Sequence, residues 1–176
     1  LNPAIRAGGD CGAGSTVKPK TIIHRARPAN GHAWVNGPAS RGLADYDIIG
    51  LSYYYMWSST GIANISNVIS GLKSKYGKEV MIMETAYPWT TLNADNYNNI
   101  IAVNKIISAY PATPEGQLEY MKVLTQQVID GGGRGIFYWE PAWITSEMKD
   151  SWGTGSSWDC NTFFDFGGNV NRGIKF

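Results

Sequence analysis

Four short apolar runs, each closing on polar or aromatic residues, limit what this chain can fold into. They are TIIHRA (21–26), DIIGLSYY (47–54), VMIMETAY (80–87) and GIFYWEPAW (135–143). Their length and their content of Ile, Val, Tyr and Phe suit strands of a parallel sheet covered on both faces. Helical patterns lie between some of them. Over 62–76, Ile65, Val68, Ile69, Leu72 and Tyr76 recur at helical spacing, and Gly77 supplies a stop. A second pattern over 114–131 opens on Pro114 and Glu115, carries Leu118, Met121, Val123, Leu124 and Val128 on its apolar side, and ends at Gly131 to Gly133. The connection between the first two runs is rich in Gly and Pro, with room for a short helix around 36–44.

The order is therefore strand, loop or short helix, strand, helix, strand, helix, strand, then a loop-rich tail. Such alternation predicts an α/β fold with a parallel sheet. The spacing between runs is that of the βα units of a (β/α)8 TIM barrel, which needs eight units and about 250 residues. Four runs in 176 residues predict a single partial domain over 1–176, either half a barrel or the second half of a whole one, its last four βα units. In barrels the chemistry sits at the C-terminal ends of strands. Here those ends carry His24 and Arg25, Tyr53 and Tyr54, Glu84, and Trp139 and Glu140. A carboxylate closing an apolar run is costly unless it is paired or has a task. Glu84 reads either as a functional carboxylate or as a structural ion pair.

Seven Trp and ten Tyr give flat rings with polar handles, suited to sugar faces as well as to cores and protein interfaces. The net charge of +1 offers no basic field for nucleic acid, and no apolar stretch is long enough to span a bilayer. No zinc spacing is present, and Cys11 and Cys160 are open to either a long-range disulfide or two free thiols. The segments 24–37 and 147–161 read as long surface loops. The opening LNPAIRAGGD has no signal-peptide pattern and looks like the tail of a helix already under way, so the chain is expected to begin inside something larger.

Five motifs, YDIIGLSYYYMW, KEVMIMETAYPWT, YPATPEGQLEYM, GGRGIFYWEPAWI and FFDFGGN, together resemble the second half of glycoside hydrolase family 53, the arabinogalactan endo-β-1,4-galactanases. The resemblance runs from about Lys20 to the end. It implies a TIM barrel of a retaining-glycosidase clan that cleaves internal β-1,4-galactosidic bonds of pectic galactan. By the same resemblance Glu84 is the nucleophile, Tyr53 or Tyr54 belongs to the tyrosine region of the sixth strand, and Trp139 ends the eighth. The family's acid/base Glu follows an Asn, and this sequence has no Asn-Glu dipeptide. The implied partners are galactan or galacto-oligosaccharides, together with a missing N-terminal half-barrel or a self-association partner. The implied location is extracellular, periplasmic or at the cell surface.

Each candidate has a plainer reading beside it. Trp89 and Trp139 stack on galactose or pack under loops, and Trp143 is open in the same way. Only one of Tyr53 and Tyr54 faces the lumen, and the family pattern favours Tyr53. His24 and Arg25 are candidate substrate contacts, with Arg27 a candidate partner for a nearby carboxylate. Glu140 reads as a loop anchor, an ion contact or a substitute acid. Asp165 and Asn169 are expected to tie down the closing segment. No cofactor and no protein metal site is predicted. The resemblance leaves calcium open near Asp150 and Asp159, whose spacing matches no known calcium loop.

Overall fold

The parallel sheet has the order β1-β2-β3, with β1 at Ile22–Arg25, β2 at Ile48–Ser52 and β3 at Glu79–Glu84. The computed structural model describes residues 7–8, 10, 14–26, 28, 35–37, 42, 45–101, 105–151 and 153–176. Ile22 pairs with Ile48 and Ile48 with Glu79, and the two ladders run in step as far as Leu51 opposite Ile82. Side chains alternate across this sheet. Ile23, Ile49, Leu51, Val80 and Ile82 share one face and are buried, while Ile22, His24 and Met81 share the other and are not. Asp47 holds the entry to the sheet, because its Oδ2 accepts from the Thr21 N–H at 2.7 Å and from the Thr21 hydroxyl at 3.1 Å. The Thr21 backbone donor is the first cause that keeps the Asp47 carboxyl below the usual carboxylate range.

The alternation breaks once. Ser52 lies opposite Glu84 rather than opposite Met83, so β3 carries one extra residue after Ile82. Burial along β3 follows, with Val80 and Ile82 buried and both Met83 and Glu84 half-buried. This is a bulge, the device by which a strand re-aims a side chain.

The described residues form two compact units. The first comprises residues 1–84 and 127–137. Helix α1, Ile65–Tyr76, packs on β3 and buries Ile65, Ile69 and Leu72. Its first expected turn, Ile62–Asn64, is a 3-10 turn, and it ends on Gly77 at φ 63, a left-handed cap that glycine adopts without strain. The expected fourth strand is reduced to one parallel bridge, Ile136 to Ile82, with Phe137 N–H donating to the Ile82 carbonyl at 2.8 Å. In the second unit the Trp139 N–H donates to Thr85 O at 2.8 Å, past the end of β3. Val35–Gly37 are helical, and the rest of the expected helix at 36–44 lies largely outside the described residues, as do Arg27 and Cys11.

The second unit comprises residues 85–126 and 138–176. Helix α2, Pro114–Asp130, starts with proline at its first position, and Thr113 caps it by accepting from the Gly116 N–H at 3.0 Å. Met121 and Leu124 are buried as the pattern predicts, and Gln117 and Tyr120 join them. Tyr87 stacks on Tyr120 with centroids 4.0 Å apart. Gln117 Nε2 donates to Tyr87 O and Asn161 O, and Tyr138 donates to Asn161 O at 2.6 Å. Burial pushes the Tyr138 phenol well above its ordinary value.

Cys160 is a free thiol in this unit, and burial followed by the Asp159 charge pushes its pKa up to about 12. An unfolded cysteine titrates near 8.5. Between roughly pH 8.5 and 12 the folded state therefore holds a proton that the unfolded state releases, so this contribution is complete below about 8.5 and lost as pH rises through the folded value. Thiol alkylation at pH 8, located by peptide mapping, will leave Cys160 unlabelled in the native protein and label it in denaturant.

Candidate active site

Glu84 ends β3 on the same face as Ser52 and His24 because of the extra residue before it. Its side chain is 26% exposed. Glu84 Oε2 accepts from the Tyr54 hydroxyl at 3.3 Å, and Oε1 lies 3.9 Å from His24 Nε2. The same imidazole nitrogen is 2.8 Å from Ser52 Oγ. A serine hydroxyl can donate or accept, so it serves either imidazole tautomer, and in both cases it holds the ring beside the carboxylate. Ala26, Ser52, Tyr54, Trp57 and Glu84 line an open cavity of about 280 Å³. Trp57 is 40% exposed and meets Tyr54 in a T-shaped contact at 5.0 Å. A carboxylate with one phenolic donor, one imidazole neighbour and an open side can act as a nucleophile or as an electrostatic partner for a developing cation.

The tyrosine on the carboxylate is Tyr54, not the Tyr53 favoured in sequence. Residues 52 and 54 share a face by strand alternation, which sends Tyr53 to the other side. There Tyr53 is 1% exposed and donates to Thr60 O at 3.2 Å. Arg25 is likewise opposite Leu51 in register, on the face away from His24. His24, Tyr54 and Glu84 are therefore brought together in the first unit, while Tyr53 and Arg25 point elsewhere. Ser52 and Trp57 were not singled out by the sequence. Ser52 carried no signal in the sequence, because its place beside His24 exists only in the register of β1 against β2.

Trp89 and Trp139 belong to the second unit. Trp139 is 37% exposed and meets Trp158 edge-on at 6.4 Å. Trp89 donates its indole N–H to Asp159 O at 3.1 Å and meets Phe166 at 5.0 Å. Glu140, next to Trp139, has φ 50, the sole positive φ outside glycine among the described residues. Asp165 closes a turn by accepting from the N–H groups of Gly167 and Asn169 at 2.9 Å, and Asn169 foremost holds its carboxyl below the usual range.

The calcium expectation near Asp150 and Asp159 does not fit this donor set. Buried Asp159 already accepts from Asn99 Nδ2, the Ala94 N–H and the Thr145 hydroxyl. Asp150 accepts from the Gly153 N–H. No group of three His, Cys, Asp or Glu side chains able to hold a metal ion occurs among the described residues.

The family model for Glycosyl hydrolase family 53 matches residues 1–176. The chain belongs to family 53. It is 42% identical over 166 residues to an arabinogalactan endo-beta-1,4-galactanase of Cellvibrio japonicus, covering 94% of this chain and 44% of that protein. It is 32% identical over 148 residues to an endo-beta-1,4-galactanase of Bacillus subtilis, covering 77% of this chain and 34% of the relative. Its structure matches the family 53 catalytic domain of Ignisphaera aggregans with a TM-score of 0.77 at 28% identity, over 89% of this chain and 45% of that one. The fold class is the (β/α)8 barrel, and this family 53 chain spans less than half the length of those relatives.

Proposed function

We propose that this chain carries the nucleophile side of a retaining endo-β-1,4-galactanase site, with Glu84 as the nucleophile. The observation that carries the reading is Glu84 at the end of β3, held by Tyr54 and His24 on the edge of an open cavity. In a retaining reaction one carboxylate attacks the anomeric carbon, and a second carboxyl about 5–5.5 Å away protonates the leaving oxygen and then activates water. The sequence has no Asn-Glu dipeptide, so the acid/base comes from outside these 176 residues. The substrate is β-1,4-galactan or its oligosaccharides, the bond that the names of the Cellvibrio and Bacillus relatives carry. His24 and Trp57 are the sugar contacts of this reading in the first unit, the indole offering a flat face to the C–H side of galactose, and Trp89 and Trp139 are separate candidates in the second. A polymer substrate of this size keeps the activity outside the cytoplasm, in the medium, the periplasm or at the cell surface.

The missing dipeptide favours a second reading for the isolated chain, which is galactan binding without cleavage. Release of reducing ends from galactan, mannan and cellulose separates the readings. Turnover by the polypeptide its gene encodes, on galactan above the other two, supports the first. Binding without release by that polypeptide supports the second, and preference for mannan or cellulose assigns another substrate.

In the active polypeptide, Glu84→Gln will lower kcat by on the order of 10⁴-fold or more, the scale of losing a covalent nucleophile. Tyr54→Phe removes a hydrogen bond to a charged acceptor and will lower kcat/KM by about 10-fold. Among the described residues β1 is an edge strand of the sheet, and open edges invite pairing. The 176-residue chain alone will therefore sediment as a dimer or larger species, and will return to a single complex when mixed with the N-terminal half of a family 53 barrel. A well-behaved monomer by ultracentrifugation would remove this part of the proposal.

A further inference from the structure

The geometry points to Gly50 and Met83 as a steric pair that positions Glu84: the missing side chain at Gly50 receives Met83, and this lets two successive residues of β3 face the same side. The inference rests on Glu84 being the nucleophile.

A regular strand would set Met83 opposite Ser52 and turn Glu84 to the face where Ile82 and Leu51 are buried. Instead Met83 occupies the extra position and Glu84 takes the place opposite Ser52. The side chain of Met83 then has to lie over β2, and it does so above Gly50. A Cβ built on Gly50 would stand 2.5 Å from Met83 Cγ, 3.0 Å from Ile22 Cγ2 and 3.5 Å from Met83 Cβ. Atom Cγ is one bond from Cβ, so it cannot swing clear as the end of a long side chain can. Any side chain at position 50 must rotate Met83 off its rotamer or move the backbone of β3 at the bulge. Glu84 is the next residue, and its contacts to Tyr54 at 3.3 Å and His24 at 3.9 Å are long enough to break with a small shift. Neither Gly50 nor Met83 lines the cavity. They act on Glu84 through the strand and are positioning residues.

The same distances define the cure. With Met83→Ala the Cγ is gone and the remaining Cβ sits 3.5 Å from the added methyl, an ordinary van der Waals contact, which leaves only Ile22 Cγ2 at 3.0 Å, on an exposed side chain that needs to give by a few tenths of an ångström. Gly50→Ala and Met83→Ala should therefore be strongly non-additive, which a double-mutant cycle measures.

The test is steady-state kinetics on galacto-oligosaccharides with the polypeptide the gene encodes, in four forms: wild type, Gly50→Ala, Met83→Ala and the double variant. A displacement of about 1 Å at a reacting group costs on the order of 100-fold. Gly50→Ala is expected to lower kcat by about 10- to 100-fold with KM changed less than about 3-fold. The double variant is expected to return to within about 3-fold of Met83→Ala. Equal loss from Gly50→Ala in both backgrounds overturns the steric pair, as does a Gly50→Ala enzyme with normal kcat. If Gly50→Ala does not fold, the double variant decides. A folded, active double variant supports the pair, and one that also fails to fold overturns it. Glu84→Gln is assayed beside them. If that variant keeps normal turnover, the nucleophile reading fails, whereas its inactivity with additive losses at positions 50 and 83 removes only the positioning inference.

Discussion

One extra residue in β3 decides which way the carboxylate at its end points. The sheet has a period of two, so an insertion of one residue moves everything beyond it to the opposite face. Before the bulge, the residues facing α1 are Val80 and Ile82, and both are fully buried. In unbroken alternation Glu84 would follow them into that layer. A bare carboxylate there would meet the apolar surface of Ile65, Ile69 and Leu72, at a cost of several kcal/mol or a loss of its charge. The bulge puts it instead among a phenol, an imidazole and an open cavity. The strand keeps its apolar contacts as far as Ile82 and presents a polar residue two positions later.

The surroundings of Glu84 are modest in strength and specific in direction. The Tyr54 bond is long, and the His24 nitrogen is nearer Ser52 Oγ than the carboxylate. Neither contact removes the carboxylate from reach, as a bidentate arginine pair would. A nucleophile needs this balance of charge, fixed orientation and one unoccupied side. The residues that follow Glu84 are held more firmly. Tyr87 donates its hydroxyl to Tyr110 O at 2.6 Å, and its N–H meets the Tyr138 hydroxyl at 3.0 Å. Tyr87 is fully buried, and these bonds avoid the large cost of leaving its polar groups unpaired. The chain leaving β3 is thereby fixed within the second unit by hydrogen bonds that the apolar pattern of the sequence does not announce.

What the sequence made legible was periodic. The runs around Ile48 and Val80 became strands, and the stripe Ile65, Ile69, Leu72 became the buried side of a helix stopped at Gly77. The ends of those strands also held the polar groups expected of a barrel mouth. The choice between Tyr53 and Tyr54 was not legible, because parity at a strand end depends on where the last regular pair falls. The bulge was hidden for the same reason: an extra residue in one strand exists only relative to its neighbours. The fourth run, GIFYWEPAW, has the composition of a full strand but is reduced to the one bridge between Ile136 and Ile82. Trp57 was hidden because it lies in the turn after β2, where no periodicity selects one aromatic over another.

On the proposed reading, a retaining site divides its labour between two carboxyl groups. The nucleophile and the acid/base of such a site stand on different strands, and a barrel brings them together only when its sheet closes. On the reading proposed above, this family 53 chain contributes the nucleophile side of that pair. Local structure at Glu84 does not need the other side, because the bulge, Tyr54, Ser52 and His24 all come from β1, β2, β3 and the turn between them. Catalysis does need it. On that reading the carboxylate is aimed by its own sheet whether or not a second carboxyl stands opposite it, and the fold of this sheet and the chemistry of the site are separable properties of one sequence.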